Sequence, residues 1–209
     1  MVLSNDHLVQ METRYRANLI NSLGGFKGLV LIGTKSCNGN ENLATFNSLF
    51  HLGANPALCG IVVRPNEEKE NTLGNIINTR YYTLNHVRPE FYRQAHQCSA
   101  SYEHGRSEFK EVGLTPEYFD GIPAPFVAES NIKFACKLER KIDIDVNGTF
   151  IIIGRIMRII LPDEYLNGDG FINLQHAGTM TCSGLDSYHI TKEVARLRYA
   201  KPDLPPREI

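Results

Sequence analysis

The feature that most constrains the fold is a long alternation of apolar and polar residues in the C-terminal half of the chain. From Ile132 to Val146 the even-numbered positions are apolar, with Arg140 as the exception on that face. A period of two is typical of a β-strand with one buried face. Asn147-Gly148 then supplies the residue pair of a type I′ turn, so this stretch predicts the first strand of a hairpin.

The chain returns from this turn as a nearly continuous apolar strand, Thr149 to Leu161, which we expect to be buried on both faces. A hairpin of this length leaves long strand edges unpaired, so further strands must lie beside it. Closure of the sheet into a barrel satisfies those edges economically. We therefore predict a mainly β fold of the α+β class, a β-barrel with short peripheral helices.

The remaining sequence predicts the other elements of one domain that spans residues 1–209. Apolar spacing predicts an N-terminal helix over residues 8–22, ended by a pair of glycines. The barrel is expected over about residues 28–190, followed by a C-terminal tail over residues 191–209. Further strands are expected at residues 28–34, 58–63 and 81–87, and helices at residues 73–79, 89–97 and after Thr115-Pro116.

The charges of the chain are nearly balanced, with Lys+Arg 22 against Asp+Glu 23 and a formal net charge of -1. Proteins that bind nucleic acid or anionic membranes usually present a basic face, so both partners are disfavoured. No run of 18 apolar residues and no signal-peptide apolar segment occurs. We expect a cytoplasmic protein with neither a membrane nor a nucleic-acid partner.

The cysteines are widely spaced, and neither a C-x-x-C pair nor an H-E-x-x-H motif is present. The sequence therefore predicts no metal site and no disulfide framework. Free cysteine is among the most often buried residue types, so these residues are expected to act as small core hydrophobes. The five positions are Cys37, Cys59, Cys98, Cys136 and Cys182.

A stretch rich in small polar residues, Ser36 to Pro65, is the first candidate for a binding site. Hydroxyl groups, amides and free backbone N–H groups suit a ligand rich in acceptor atoms, such as a flavin or a phosphate. An ordinary turn-forming loop has the same composition, so both interpretations stay open. Rossmann and P-loop glycine motifs are absent. The polar residues are Asn38, Gly39, Asn40, Asn42, Thr45, Asn47 and Ser48.

Arg64 and Thr72 form a second candidate, for an anion. Arg64 ends a predicted strand just before Pro65, and a guanidinium group can bind phosphate oxygens in pairs. Thr72 begins a predicted helix, whose first N–H groups and positive dipole end favour an anion. A surface arginine and a routine helix cap explain the same spacing equally well.

No catalytic residue stands out. None of the seven histidines is spaced with a serine or a carboxylate in a recognisable triad. Three hydroxyl residues, Ser183, Ser187 and Tyr188, surround Gly184-Leu185-Asp186 and indicate either a turn or a ligand-facing loop. A cofactor is therefore the more economical source of reactivity.

The order of several short segments resembles the flavin reductase-like family, whose members share an FMN-binding split barrel and include the flavoredoxins. Each segment is unspecific by itself, and their order along residues 12–200 carries the resemblance. The segments are Thr34-Lys35-Ser36, Asn42–Ser48, Asn55-Pro56-Ala57, Val63-Arg64-Pro65, Thr72–Ile76, Tyr82–His86 and Ser183–His189.

This resemblance implies a homodimer of split barrels, each holding one FMN non-covalently near the subunit interface. It implies that Asn42–Ser48 follows the isoalloxazine ring and the ribityl chain, and that Arg64 and Thr72 hold the phosphate. NADH or NADPH is the implied electron donor. The residues expected to bind the cofactor are Asn42, Leu43, Ala44, Thr45, Asn47, Ser48, Arg64, Thr72 and Asn75.

Two segments depart from the family pattern. Thr45 and Asn47 stand in a stretch where many members carry a proline and a serine, which implies rearranged hydrogen bonds. Asp186–His189 differs from the glycine-rich version of many short-chain flavin reductases. Two functions are therefore expected: an FMN-dependent oxidoreductase that uses NAD(P)H, or an FMN-binding carrier or sensor without NAD(P)H turnover.

Overall fold

The structure is a computed structural model that describes residues 1–65, 72–103 and 105–209. The strands of this described part are β1 (Lys27–Gly28), β2 (Val30–Lys35), β3 (Glu41–Phe46), β4 (Phe50–Ala54), β5 (Ala57–Val63), β6 (Tyr81–His86), β7 (Pro116–Phe119), β8 (Ile122–Val127), β9 (Lys133–Ile144), β10 (Thr149–Ile160), β11 (Met180–Ser183) and β12 (Ser187–Ile190). The α-helices are α1 (Asn5–Gln10), α2 (Thr13–Leu23), α3 (Thr72–Thr79), α4 (Tyr92–Gln97) and α5 (Glu108–Val112).

Seven strands form an antiparallel sheet in the order β3-β2-β6-β9-β10-β5-β4. The sheet curls around an apolar core to which both of its halves and α3 contribute. The predicted mainly β barrel with short peripheral helices is therefore confirmed. Among the buried members of this core are Val30, Ile32, Ile61, Tyr82, Leu84 and Ile152.

The long hairpin is confirmed, and two of its details are wrong. Four residues, 145–148, join β9 to β10, and of the Asn147-Gly148 pair only Gly148 has a positive φ, 71°. A type I′ turn needs two such residues; here Asn147 Oδ1 instead accepts from the Thr149 amide at 3.1 Å. The return strand is also not buried on both faces, because Met157 is 46% exposed and Ile159 is 54% exposed.

The N-terminal helix predicted over residues 8–22 is divided in two. Met11 is extended, with φ -65° and ψ 145°, and ends α1. The side chain of Glu12 then accepts from the amides of Arg14 and Tyr15, at 2.9 and 2.8 Å, and starts α2. A local cap of this kind satisfies the first N–H groups of the second helix, and apolar spacing does not reveal it.

Two further helix predictions are corrected by the structure. The helix expected from Pro89 begins only at Tyr92, after a turn in which the Phe91 amide donates to the Arg88 carbonyl oxygen. The helix expected after Thr115-Pro116 is instead strand β7, which pairs with β8. Proline is compatible with the first residue of a strand as well as of a helix, and here the pairing with β8 decides.

The outer face of the sheet is covered by α4, α5 and the β7–β8 hairpin. Leu29 and Leu31 pack there against Val87 and the helices, while Ala135 packs under β8. Four cysteines are buried as expected, and Cys37 is exposed. None of the helices in the described ranges is long and apolar enough to cross a membrane, and no cluster of metal-binding side chains occurs there.

Candidate functional site

The candidate site lies between the two ends of the sheet, which no backbone hydrogen-bond ladder of the described residues joins. Strand β3 is at one end of the sheet, and β5 and β4 are at the other. Between them the Ser48 hydroxyl donates to the Val62 carbonyl oxygen at 2.9 Å and accepts from the Val62 amide at 3.1 Å. One side chain thus takes the place of a backbone ladder. We call this gap, residues 44–49 and 62–65, the seam.

A cavity of about 770 Å³ opens at the seam. Cofactor sites have volumes of about 300–1,000 Å³, so this cavity can hold a ligand of that size. Its other walls are the end of α2, the beginning of α3, the end of α4 and the β11–β12 turn. Its lining combines apolar side chains such as Leu29 and Leu73 with polar ones, which suits a flat ring system with polar edges.

Six of the nine residues expected to bind the cofactor line this cavity: Ala44, Thr45, Asn47, Ser48, Arg64 and Thr72. The loop interpretation holds for part of this region. Strands β3, β4 and β5 occupy most of it, but Asn38, Gly39 and Asn40 lie in the β2–β3 connection, and Asn47 and Ser48 lie between β3 and β4. The structure does not bring Leu43 to the cavity. Its side chain is fully buried in the outer core, and its amide donates to Glu108 Oε2 at 2.9 Å.

Asn42 and Asn75 line a smaller cavity of about 210 Å³ that shares Ala44, Thr72, Cys98 and Ser99 with the larger one. Both asparagines donate from Nδ2 to the hydroxyl oxygen of buried Thr34, at 3.2 and 3.1 Å. Asn42 Nδ2 also lies 3.1 Å from Thr72 Oγ1. This network ties the first residue of α3 to β2 and β3, so the two asparagines position Thr72.

The outer edge of β3 supplies a backbone donor to the cavity. The Leu43 amide points away from β2, because it donates to Glu108. Amide directions alternate along an antiparallel strand, so the amide of Thr45, two residues further on, also points away from β2. The Thr45 side chain is held in place by its donation to the Ala95 carbonyl oxygen. The Thr45 amide is thereby left free of the β2–β3 ladder.

The charges around the cavity favour an anion. Arg64 and Lys27 line it, and no carboxylate of the described residues does. Asn21 of α2 holds both cations, accepting from Arg64 Nη2 through Oδ1 at 3.4 Å and from Lys27 Nζ through its carbonyl oxygen at 3.1 Å. No carboxylate of the described residues forms an ion pair with either cation. The beginning of α3 adds its dipole to this end of the cavity.

Sequence reasoning assigned no ligand contact to several residues of the wall, among them Lys27, Cys98, Ser99, Cys182 and Tyr188. These residues come from segments far from the seam in the sequence. For Tyr188 the sequence offered one signal, the three hydroxyl residues around Gly184-Leu185-Asp186. This signal indicated either a turn or a ligand-facing loop. In the structure Ser183 to Ser187 forms a tight turn, and Tyr188, directly after it, lines the cavity.

Comparison with known proteins agrees with this geometry. Residues 25–178 match the model of the flavin reductase like domain. The chain therefore belongs to the flavin reductase-like family, as its segment order indicated.

Similar solved structures share the split-barrel fold. A split-barrel protein of Shewanella frigidimarina, provisionally named a flavin reductase, is 46% identical, with a TM-score of 0.92 over 96% of this chain and 100% of its own. Nitrilotriacetate monooxygenase component B of Bacillus cereus is 20% identical, with a TM-score of 0.82 over 92% and 96%. Flavoredoxin of Desulfovibrio vulgaris is 19% identical, with a TM-score of 0.70 over 86% and 92%.

Proposed function

We propose that this protein binds FMN at the seam and acts as an NAD(P)H-dependent flavin oxidoreductase, passing electrons to flavin or, through bound FMN, to another acceptor. The observation that carries the proposal is the single cavity that gathers six of the nine expected cofactor-binding residues. They come from β3, its linker, the end of β5 and α3, which only the fold brings together. Membership of the flavin reductase-like family supports the same chemistry.

The phosphate of FMN is assigned to the end of the cavity formed by Arg64 and Thr72. A guanidinium group without a carboxylate partner in the described residues and a helix beginning both favour a dianion. Asn42 and Asn75 hold Thr72 in place for this contact. FMN fits this arrangement better than riboflavin does, because riboflavin would leave the cationic end without an anion.

The ring system is assigned to the seam. The Thr45 amide offers a donor, and the side chains of Val62 and Leu185 offer apolar walls. The side chain of Asn47, held in place by donation from Nδ2 to the Gly184 carbonyl oxygen at 3.0 Å, adds a polar group. FMN would supply the redox chemistry when bound, since none of these side chains accepts hydride. The protein would orient the ring and exclude water from one of its faces.

We further propose a cytoplasmic homodimer in which a second copy lies against the barrel surface. Three apolar side chains on β4 and β10, those of Leu52, Met157 and Ile159, are each more than 40% exposed. A second copy packed against this part of the barrel would cover these apolar side chains. Light scattering of the purified protein should give twice the mass of one chain, and a single-chain mass would contradict the dimer.

The deciding experiment is an absorption spectrum followed by a donor test. Purified protein should be yellow or become so with FMN, and a tight ligand at a hundredfold excess over Kd should stabilise it by about 2.7 kcal/mol. Anaerobic NADH or NADPH should then bleach the visible band. Colourless protein that FMN does not stabilise would overturn the proposal. A yellow protein that neither donor bleaches would identify a carrier or sensor instead.

A further inference from the structure

Tyr188 connects the cavity to the protein surface through one hydrogen bond. It lies on β12 and lines the larger cavity, and its Oη is 2.5 Å from Nδ1 of His96. His96 lies near the end of α4 and is exposed to solvent. The two rings pack edge to face with centroids 5.7 Å apart, so the contact has a defined geometry.

Three other protic side chains of the cavity, those of Thr45, Ser48 and Cys98, lack such a connection. The Thr45 hydroxyl donates to the Ala95 carbonyl oxygen, and the Ser48 hydroxyl donates to that of Val62. The Cys98 thiol stays protonated, because burial, reinforced by Glu108, raises its pKa to about 12. Among the described residues that line the cavity, Tyr188 alone has its hydroxyl bonded to an imidazole.

The protonation of His96 decides which way this hydrogen bond points. A neutral imidazole protonated at Nε2 accepts the phenol hydrogen at Nδ1. An imidazolium donates from Nδ1 to Oη, which frees the phenol hydrogen for donation into the cavity. Burial, followed by Cys182 and Asp186, raises the pKa of Tyr188, so the phenol keeps its proton at neutral pH.

We propose that Tyr188 is the proton donor of the cavity and that His96 resupplies it. The inference rests on the proposed function, since hydride addition leaves negative charge on a nitrogen or oxygen of the ligand being reduced. The Tyr188 O–H bond breaks as that proton bonds to the ligand, and the proton on His96 Nδ1 restores the phenol. The electron pair arrives with the hydride of NAD(P)H, and His96 regains its proton from solvent.

Three variants test the proposal in the FMN-loaded protein. Tyr188→Phe keeps the ring and removes the proton, so kcat should fall on the order of 100-fold with KM changed less than about twofold, as expected for loss of a general acid. His96→Gln should lower kcat about tenfold, and imidazole in the buffer should restore much of it. Tyr92→Phe is the matched control: its ring packs against Tyr188 at 5.7 Å, but its hydroxyl lies beside Arg93.

Two readouts other than turnover accompany these rates. The affinity of each variant for FMN should match that of the wild type, which shows that the cavity is intact. The ¹⁵N resonance of His96 Nδ1 should move in Tyr188→Phe and stay in Tyr92→Phe, which reports the hydrogen bond directly.

The outcomes separate the two proposals. If Tyr188→Phe keeps kcat within twofold of the wild type, Tyr188 is not the proton donor, and the proposed oxidoreductase activity is unaffected. If Tyr188→Phe loses FMN affinity and kcat to the same extent, Tyr188 has a packing role, and its role as proton donor is overturned as well. A wild type that binds FMN but is reduced by neither nucleotide overturns the oxidoreductase, and the proton donor with it.

Discussion

Two parts of the same barrel keep its strands together in different ways. Along β2, β6, β9 and β10 backbone ladders join the strands, with two bulges between β9 and β10. The interior side chains of Ile32, Tyr82, Leu84 and Ile152 are fully buried. At the seam the Ser48 hydroxyl contacts Val62 in place of a ladder, and the side chains from Ala44 to Ser48 are half-buried.

The difference shows how a small barrel obtains a cavity without losing its core. Where the ladder is complete, side chains fill the interior and leave no room for a ligand. Where two strand ends stay apart, alternate amides of β3 and the side chains of the linker remain available. We call the region with complete ladders, β2, β6, β9 and β10, the closed part. It should therefore be sensitive to added volume, whereas the seam should be sensitive to loss of polar groups.

Gly33→Ala adds volume to the closed part and should have the largest effect. A Cβ at this position would lie 2.1 Å from the Pro125 carbonyl oxygen and 2.7 Å from Thr83 Oγ1. The backbone of β8 would have to move, so chemical denaturation should show a loss of about 3 kcal/mol or more in the free energy of unfolding.

Gly168→Ala is the matched control for this variant. No heavy atom lies within 4 Å of a Cβ at position 168, so the change should stay within about 0.5 kcal/mol. A small and equal change at both positions would contradict the close approach of β8 to β2.

The closed part was also the more predictable one from sequence. The period of two from Ile132 to Val146 indicated β9 because local alternation and global burial agree there. Thr115-Pro116 led to a wrong helix prediction, because this dipeptide is also typical of the first turn of a helix. The segment is a strand because Pro116 pairs with Val127, which is distant in sequence. Lys133 likewise belongs to the polar face by pattern, yet it is buried and paired with Glu117 under the β7–β8 hairpin.

The seam could be predicted only in part. Its polar residues could be predicted for two reasons. This stretch contains more small polar residues than packing between strands requires, and the order of segments resembles a known family. Leu43 was included with them, although the alternation of β3 turns its side chain to the outer core. Lys27, Cys98 and Cys182 carry no local signal, since their place in the wall depends on how β1, α4 and β11 pack.

Arg64→Ala removes charge from the seam and should have the next largest effect, on binding rather than on stability. FMN should lose about 1.5–3 kcal/mol of affinity, the scale of a hydrogen bond to a charged group. This corresponds to about 10–150-fold in Kd by calorimetric titration. Riboflavin should lose much less, because it has no phosphate.

Arg140→Ala is the control for lost charge, since Arg140 is exposed on β9 and does not line the larger cavity. It should bind both flavins as the wild type does. An equal loss for FMN and riboflavin in Arg64→Ala would show that Arg64 does not contact the phosphate.

Ser48→Ala removes the bond that spans the seam. The half-buried amide and carbonyl of Val62 lose their side-chain partner, so the protein should be destabilised by about 1 kcal/mol. Hydrogen exchange should accelerate at the Val62 amide more than along β9. Ser22→Ala is the control, because that hydroxyl bonds only within α2. Unchanged exchange at Val62 would contradict the bridging role.

Tyr82→Phe, inside the closed part, should have the smallest effect although its side chain is fully buried. Among the described residues its hydroxyl makes no hydrogen bond of normal geometry, with the weakly accepting Cys136 thiol beside it, and it lies against Gly154, where a Cβ would be only 2.1 Å away. Burial raises the pKa of Tyr82, so the group is a neutral phenol. Removing a buried hydroxyl that makes no hydrogen bond of normal geometry costs little, and denaturation should show a change within about 0.5 kcal/mol or a gain in stability. A loss above about 1 kcal/mol in the free energy of unfolding would mean that the Tyr82 hydroxyl forms a stabilising hydrogen bond. The closed part, like the seam, would then depend on polar contacts.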